Sequence, residues 1–336
     1  MKKFLQKILL HSLLLTTAIG AVVMARYAKG THKLWPDLHS IPPNFISNSV
    51  CFNAKLEHAK EEGRLLSAKT LIIGSSLGLN NVSGAILTRS FGEKAYNFSS
   101  WGFKPHETFQ VLKQLEGKLA IQRLVLPFNN TEFLADAKQI DYQAVHDHFF
   151  APGLLTQVRG YFTNFTLDNF IKDWSLRTKY IYRDNEGYTL KFADDGSINL
   201  HANNFVRSEE GSPLAYYDTT GFARFNRSLD SISQYCDRNN IELTMVYLPW
   251  RHDLLTPKRT KQVEYVANYL RAKYHNKFVD LSRLPVERKN YVDGGHMFEE
   301  GAITITNALV DTLAIRKQIV TLRNHHGAPR TTIASL

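Results

Sequence analysis

The sequence predicts an α/β protein in which a central parallel sheet is covered by helices on both faces. From residue 69 onwards, short apolar runs typical of strands alternate with amphipathic segments at helical spacing. Strands separated by helices pair in parallel, because each helical crossover returns the chain to the same end of the sheet. The 20 Phe, 15 Tyr and 4 Trp residues supply a packed core, which excludes an intrinsically disordered chain.

The alternation resolves into individual elements. Strands are predicted at residues 70–74, 94–98, 123–127, 241–248 and 277–281. Helices are predicted at residues 106–116, 220–239, 257–274 and 299–315. Residues 131–217 interrupt this pattern with many aromatic side chains, and they are too long for a plain loop. We interpret them as an insertion or lid over the C-terminal edge of the sheet, where ligands of parallel sheets bind.

The N-terminal segment is typical of a membrane anchor. After Lys2, Lys3 and Lys7, residues 8–25 carry no Asp, Glu, Lys or Arg, and Arg26 closes the run. As a helix this stretch would span roughly 27 Å, close to the hydrocarbon thickness of a bilayer. A cleaved signal peptide and a buried soluble helix remain alternatives. The flanking cations favour a cytoplasmic N-terminus, with the rest of the chain periplasmic or otherwise extracytoplasmic.

These features divide the 336 residues into four parts. They are a transmembrane anchor, a proline-containing connector, a sheet domain with its insertion, and a loosely ordered tail, at residues 1–30, 31–68, 69–318 and 319–336. A short helix is predicted within the connector at residues 53–62. Cys51 and Cys236 are too few for a disulfide framework, and whether they form one bridge stays open.

Two polar motifs follow or precede elements of the predicted sheet. The first strand leads directly into Ser75 and Ser76, at the entrance to a helix whose backbone N–H groups lie near the hydroxyl. Far downstream, Asp293 precedes His296 by a spacing that lets the carboxylate fix the imidazole tautomer and stabilise the imidazolium. A serine hydroxyl needs such a base to become a nucleophile. Each motif alone is also typical of turns and helix caps.

Two further strand ends complete an order of motifs. The second strand is followed by Ser-Ser-Trp-Gly at residues 99–102, and the third by Asn129 and Asn130. Serine, glycine, asparagine and Asp-x-x-His in this order, over residues 69–315, resemble the SGNH hydrolase superfamily. The resemblance implies a three-layer αβα sandwich of the flavodoxin-like type.

The same resemblance implies roles for individual residues. Ser76, His296 and Asp293 match the catalytic triad of the family. Gly102 and Asn129 match its oxyanion hole, to which the backbone N–H of the nucleophile also contributes. Such preoriented donors suit the negative charge that develops on a tetrahedral intermediate.

The chain departs from the family pattern in two blocks. The first block is Gly-Asp-Ser in the family, whereas Ser75 replaces the aspartate here. The third block is Gly-x-Asn-Asp, whereas Pro127 replaces the glycine and Asn130 the final acid. The second change leaves open whether Asn129 or Asn130 is the oxyanion donor.

The departures and the anchor make the chain similar to a divergent branch that includes the teichoic-acid D-alanylation and alginate O-acetylation proteins. That branch transfers acyl groups onto envelope polymers beside a membrane-bound O-acyltransferase. We therefore expect an inner-membrane, single-pass serine acyltransferase or esterase that acts on O-acyl groups, acetyl in the first place, of an envelope polysaccharide or acyl-lipid. A catalytically inactive binding or assembly protein with the SGNH fold is the alternative, and a soluble lysophospholipase-like esterase is a third.

Composition and motifs narrow the remaining classes. The net charge of +10 suits an anionic partner, but the basic residues are interspersed with acids, which argues against nucleic acid. No nucleotide-binding loop occurs, and the sequence predicts no cofactor and no metal, His146 and His148 included. Substrate contacts are predicted at strand ends, from Trp101, Asn130, Arg251 and His252.

Overall fold

The computed structural model describes residues 2–28, 55, 58–59, 63–100, 102–133, 192–200 and 219–325, and it contains a parallel sheet with flanking helices. The strands are β1 (Thr70–Ile72), β2 (Ala95–Asn97), β3 (Arg123–Phe128), β4 (Glu242–Tyr247) and β5 (Phe278–Asp280). Their order across the sheet is β2-β1-β3-β4-β5. The chain moves outward from β1 to β2, and then returns to the other side of β1. The ends of β1 and β3 therefore flank a topological switch point, where open α/β sheets bind ligands.

The helices cover both faces of this sheet. In chain order the described helices are α1 (Lys2–Ala28), α2 (Ser76–Asn81), α3 (Gly84–Phe91), α4 (Pro105–Gln114), α5 (Thr219–Arg238), α6 (Pro257–Tyr274) and α7 (Glu299–His325). The side chains that pack on the sheet come from α2 to α7. Short 3-10 turns lie at Asn130–Phe133, His252–Leu254, His275–Lys277 and Arg288–Asn290. The α/β class with a parallel sheet, predicted from the alternation of strands and helices, is thus confirmed.

Two apolar clusters lie on opposite faces of the sheet, because successive strand side chains alternate in direction. In β3, Leu124 and Leu126 belong to the larger cluster, whereas Val125 between them belongs to the smaller one. Helices α4, α5 and α6 supply buried side chains to the larger cluster, and α2, α3 and α7 to the smaller. These packed layers hold the strand ends, and with them the loops that follow, in fixed positions.

The structure agrees with the predicted bounds of one helix and differs from the sequence prediction at several other elements. Helix α6 has the predicted bounds, and its N-terminus is capped by the Thr256 hydroxyl ahead of Pro257. No bounds were predicted for α2, which the turn at Ser75 and Ser76 enters, or for α3, because each helix is short and contains a glycine that is typical of turns. Helix α7 continues to His325, ten residues beyond its predicted end at residue 315, and so extends into the segment predicted as a tail.

The first helix, α1, has apolar side chains that are exposed along nearly its whole described length, Leu9 at 73% among them. Within the residues that the structure describes, no helix is both long enough and apolar enough to cross a membrane. Cys236 is a buried free thiol. Several predictions fall outside the described residues: Cys51, His146 and His148, most of the 53–62 helix, and most of the 131–217 insertion.

Candidate active site

The nucleophile candidate is held by the turn that joins β1 to α2. Ser75 has extended backbone angles and is the N-cap of α2, and its hydroxyl accepts a hydrogen bond from the backbone N–H of Leu77 at 3.2 Å. Ser76 is the first residue of the helix. Ser75 and Leu77 are buried, whereas Ser76 is half-buried. The turn thus leaves the Ser76 hydroxyl reachable while its neighbours fix the backbone.

The Ser76 hydroxyl lies at one end of a continuous hydrogen-bonded chain. His296 Nε2 is 2.8 Å from Ser76 Oγ, and His296 Nδ1 is 2.8 Å from Asp293 Oδ2. The other carboxylate oxygen, Asp293 Oδ1, accepts hydrogen bonds from the backbone N–H groups of Gly295 and His296, each at 2.8 Å. The structure therefore brings together three residues that lie up to 220 positions apart in sequence. This is the geometry of a nucleophile, a base and a group that orients the base.

The charges of the base and its partner reinforce each other. Burial alone would raise the pKa of Asp293, but the nearby His296 charge and the hydrogen bonds to its carboxylate lower that pKa to about 2. Burial alone would lower the pKa of His296, but the Asp293 charge and hydrogen bond outweigh it, and the pKa is raised. Both side chains remain partly open, at 23% exposed for His296 and 29% for Asp293. The pair is thus built to stabilise an imidazolium within reach of solvent or substrate.

Asn81, at the C-terminal end of α2, locks the histidine loop onto the helix that carries Ser76. Its side-chain Nδ2 donates to the Gly295 carbonyl at 2.7 Å, and its Oδ1 accepts from the Met297 backbone N–H at 3.0 Å. The backbone on both sides of His296 is therefore clamped by one fully buried amide. Sequence reasoning missed this role, because the amide makes contacts more than 200 residues away that no local pattern encodes.

The loops after β2 and β3 lie beside the nucleophile turn. The backbone N–H of Ser100 donates to the Gly74 carbonyl at 3.0 Å, and this bond joins the loop after β2 to the residue before Ser75. Gly102 follows in this loop with a φ of +72°, a left-handed conformation that favours glycine. Asn129 is 2% exposed, and its Nδ2 lies 3.2 Å from the position that a β-carbon on Gly295 would occupy.

The two asparagines after β3 point to different surroundings. Asn130 Oδ1 accepts a hydrogen bond from the Tyr247 hydroxyl, under the end of the neighbouring strand. Asn129 instead lies against the loop that carries the histidine. This difference favours Asn129 over Asn130 as the group facing the reaction centre.

The other residues predicted to contact substrate differ in where the structure places them. Arg251 is 4% exposed and forms an ion pair with Asp253 at 2.8 Å, and its backbone N–H donates to the Gly294 carbonyl at 2.9 Å. This arrangement favours a role in holding the histidine loop rather than direct contact with substrate. His252 is exposed nearby, and its substrate contact stays a prediction. Trp101 lies outside the described residues.

A further carboxylate, which sequence reasoning missed, lies directly behind the nucleophile turn. Glu132 Oε1 accepts a hydrogen bond from the Ser75 hydroxyl, and Glu132 Oε2 accepts from the Asn129 backbone N–H at 2.8 Å. The second contact is half of a capping box, in which the third residue of a turn bonds back to its cap. The Asn-x-x-Glu spacing after a strand was the signal that could have identified it.

Comparisons with known proteins add nothing to this geometry. No protein-family model matches the chain, and no characterised protein matches it significantly. Within the described part of the chain, no group of three or more His, Cys, Asp or Glu side chains could hold a metal ion. The functional inference therefore rests on the arrangement of this chain's own residues.

Proposed function

We propose that this protein is a serine-dependent acyltransferase or esterase of the SGNH type. The observation that carries the proposal is the hydrogen-bonded chain from Ser76 Oγ through His296 to Asp293, with both links at 2.8 Å. Its position at the switch point of a parallel sheet adds support, since such crevices are where these sheets bind ligands. An assembled triad also weighs against the alternative of a purely binding or assembly protein.

The geometry supports a two-step acyl transfer. In the first step, His296 Nε2 takes the proton of the Ser76 hydroxyl while Ser76 Oγ attacks the ester carbonyl. Asp293 holds the imidazole ring and stabilises its positive charge. The Asn129 side chain and the backbone N–H groups of Gly102 and Ser76 would stabilise the oxyanion of the tetrahedral intermediate. His296 then protonates the leaving alcohol, and an acyl-Ser76 ester remains.

In the second step, a hydroxyl group or water attacks the acyl-enzyme. His296 removes the proton of this nucleophile, and Ser76 leaves as its alcohol. The substrate that we propose is an O-acyl group, acetyl in the first place, on an envelope polysaccharide or glycopolymer. Support comes from the resemblance of the motif order to the polymer-modifying branch and from the net charge of +10, which suits an acidic glycan or an anionic lipid surface. A membrane-bound O-acyltransferase would be the partner that supplies acyl groups.

Fluorophosphonate labelling tests whether Ser76 is an activated nucleophile. These probes phosphonylate a serine whose hydroxyl is deprotonated by a base, so we expect the wild-type chain to be labelled and Ser76→Ala to lose the label completely. Ser231→Ala is the matched control, because Ser231 lies on α5 and bonds only to the Arg227 carbonyl within its own helix among the contacts described. A folded wild-type chain that takes no label would exclude the enzyme and favour the binding protein.

We further propose that residues 8–25 anchor the chain in the inner membrane, with the sheet domain on the extracytoplasmic side. Support comes from the sequence of residues 8–25, which contains no Asp, Glu, Lys or Arg. It also comes from the apolar side chains of α1, which are exposed where the structure describes them.

The anchor predicts that the full-length chain stays with membranes through an alkaline carbonate wash, whereas a chain lacking residues 1–30 is released. Removal of residues 326–336 is the control, and it should leave the membrane association unchanged. Release of the full-length chain by carbonate would rule out the anchor.

A further inference from the structure

Glu132 is a charged side chain buried beside the nucleophile, with 5% of its surface exposed. It lies on the 3-10 turn that follows β3. One of its carboxylate oxygens accepts from the hydroxyl of Ser75, and the other accepts from the backbone N–H of Asn129. A buried carboxylate is costly unless it is hydrogen-bonded, and here each oxygen has a donor.

These two contacts join the two sides of the switch point. Ser75 is the N-cap of α2 and directly precedes the nucleophile, and its oxygen also accepts from Leu77 N–H. Asn129 directly follows β3 and carries the proposed oxyanion donor. One carboxylate therefore bridges the residue before the nucleophile and the residue after β3. A displacement of Glu132 would move the nucleophile turn and the oxyanion donor relative to each other.

The charge of Glu132 also acts on the base. Among the influences on the pKa of His296, burial lowers it, and the charges of Asp293 and then Glu132 raise it. Two carboxylates thus act on the pKa of His296: Asp293 from the histidine loop, and Glu132 from the turn after β3. Burial raises the pKa of Glu132, and the positive charge of Lys104, the residue directly before α4, opposes this rise.

We propose that Glu132 is a positioning residue of the Ser76 site, which holds in place the two strand ends that carry Ser76 and Asn129. From this place its carboxylate also acts on the imidazole of His296. The proposal rests on the function proposed above. Among the contacts that the structure describes, its carboxylate reaches Ser75 and Asn129 rather than the Ser76 hydroxyl, so it acts through those two residues and through the charge that it places near His296.

The direct test is an NMR titration of His296 in the full-length chain, with ¹³C-labelled histidine rings and His296→Gln to assign the signal. Glu132→Gln keeps the size of the side chain and removes its charge, so the titration midpoint of His296 should move to lower pH. Glu107→Gln is the matched control, because Glu107 is also buried, at 3% exposed, but serves to cap α4 through the Lys104 backbone N–H at 2.9 Å. A midpoint in Glu132→Gln that equals the wild-type midpoint would overturn the proposal.

The second readout is the rate of fluorophosphonate labelling as a function of pH. Labelling needs neutral imidazole, so the rate falls as the pH drops through the midpoint of His296, and this acid limb should lie at lower pH in Glu132→Gln. Glu132→Asp keeps the charge but shortens the side chain, so its acid limb should stay near the wild-type position while the rate falls by about ten- to a hundredfold.

Glu132→Asp also decides the proposal if Glu132→Gln does not fold, since a wild-type labelling rate in Glu132→Asp would contradict the positioning role. The histidine titration does not depend on activity. A wild-type chain that takes no label would therefore refute the proposed function, while the titration of His296 would still decide the role of Glu132.

Discussion

We expect Asp293→Asn to lower kcat/KM for an activated ester such as p-nitrophenyl acetate by about 10³- to 10⁴-fold while the fold stays intact. The amide oxygen of asparagine can keep the two backbone hydrogen bonds that Asp293 Oδ1 accepts, from Gly295 and His296. The amide nitrogen would then face His296 Nδ1 in place of Oδ2. Because an amide nitrogen only donates, the imidazole must place its proton on Nε2, and it can no longer accept the proton of Ser76.

Asp280→Asn is the control for this prediction. Asp280 lies at the end of β5 and likewise accepts a backbone hydrogen bond, from Ser282 at 3.0 Å, together with the Ser282 hydroxyl at 2.6 Å. It has no described contact with the triad, so its substitution should leave kcat/KM within a few-fold of wild type. A normal rate in Asp293→Asn would show that the carboxylate serves only to shape the loop.

The sheet and the longer helices could be predicted from sequence because their signals are local. Apolar runs mark the strands, and a cap followed by proline marks the start of α6 at Pro257. The extent of α2 could not be predicted, because its six residues are too few to show a helical period in the sequence. Gly78 within it has no room for a side chain, since a β-carbon there would lie 2.6 Å from Ser99 Oγ and 2.9 Å from Pro127 Cγ. A glycine in a sequence usually indicates a turn, but Gly78 lies within a helix and lets that helix pack closely against Ser99 and Pro127.

In the candidate site, too, the residues with a local sequence signal could be predicted and those that depend on distant contacts could not. Ser76, Asp293 and His296 could be predicted because a strand end and a three-residue spacing are visible in one sequence. The clamp by Asn81 and the contact of Glu132 with Ser75 could not, because each joins residues brought close only by the sheet order. Only the contact of Glu132 with Asn129 has a local signal, in the Asn-x-x-Glu spacing. The physical reason is that the positioning of a site depends on contacts distant in sequence, whereas its reacting groups lie in short motifs.

Pro127 lies in the central strand β3, and the sheet accommodates it at the edge of the site. Strand β1 ends at Ile72, opposite Val125, so β3 has no ladder partner on that side at Pro127. The ring instead packs towards Gly74 and Gly78. A proline in a central strand is thereby tolerated, because the neighbouring strand has already turned away into the nucleophile loop.

This packing predicts a large effect of Gly74→Ala on stability. A β-carbon at residue 74 would lie 2.7 Å from the Pro127 carbonyl oxygen, which is a backbone atom of the central strand and cannot rotate away. Relief requires separating the end of β1 from β3, so we expect the free energy of unfolding to fall by about 3 kcal/mol, measured by urea denaturation. Because Ser75 and Ser76 follow directly, fluorophosphonate labelling of the remaining folded protein should also slow.

Gly117→Ala separates this steric effect from the ordinary cost of replacing a glycine. Gly117 has a φ of +70°, and a β-carbon there would meet no atom within 4 Å. Its substitution should cost only about 1 kcal/mol, the penalty for a left-handed backbone, and it should leave labelling at the wild-type rate. Equal losses of stability in the two variants would mean that the contact between the ends of β1 and β3 is not what fixes the nucleophile turn. A large loss of stability in Gly74→Ala alone would instead show that close packing of the nucleophile turn against the Pro127 backbone holds that turn in position.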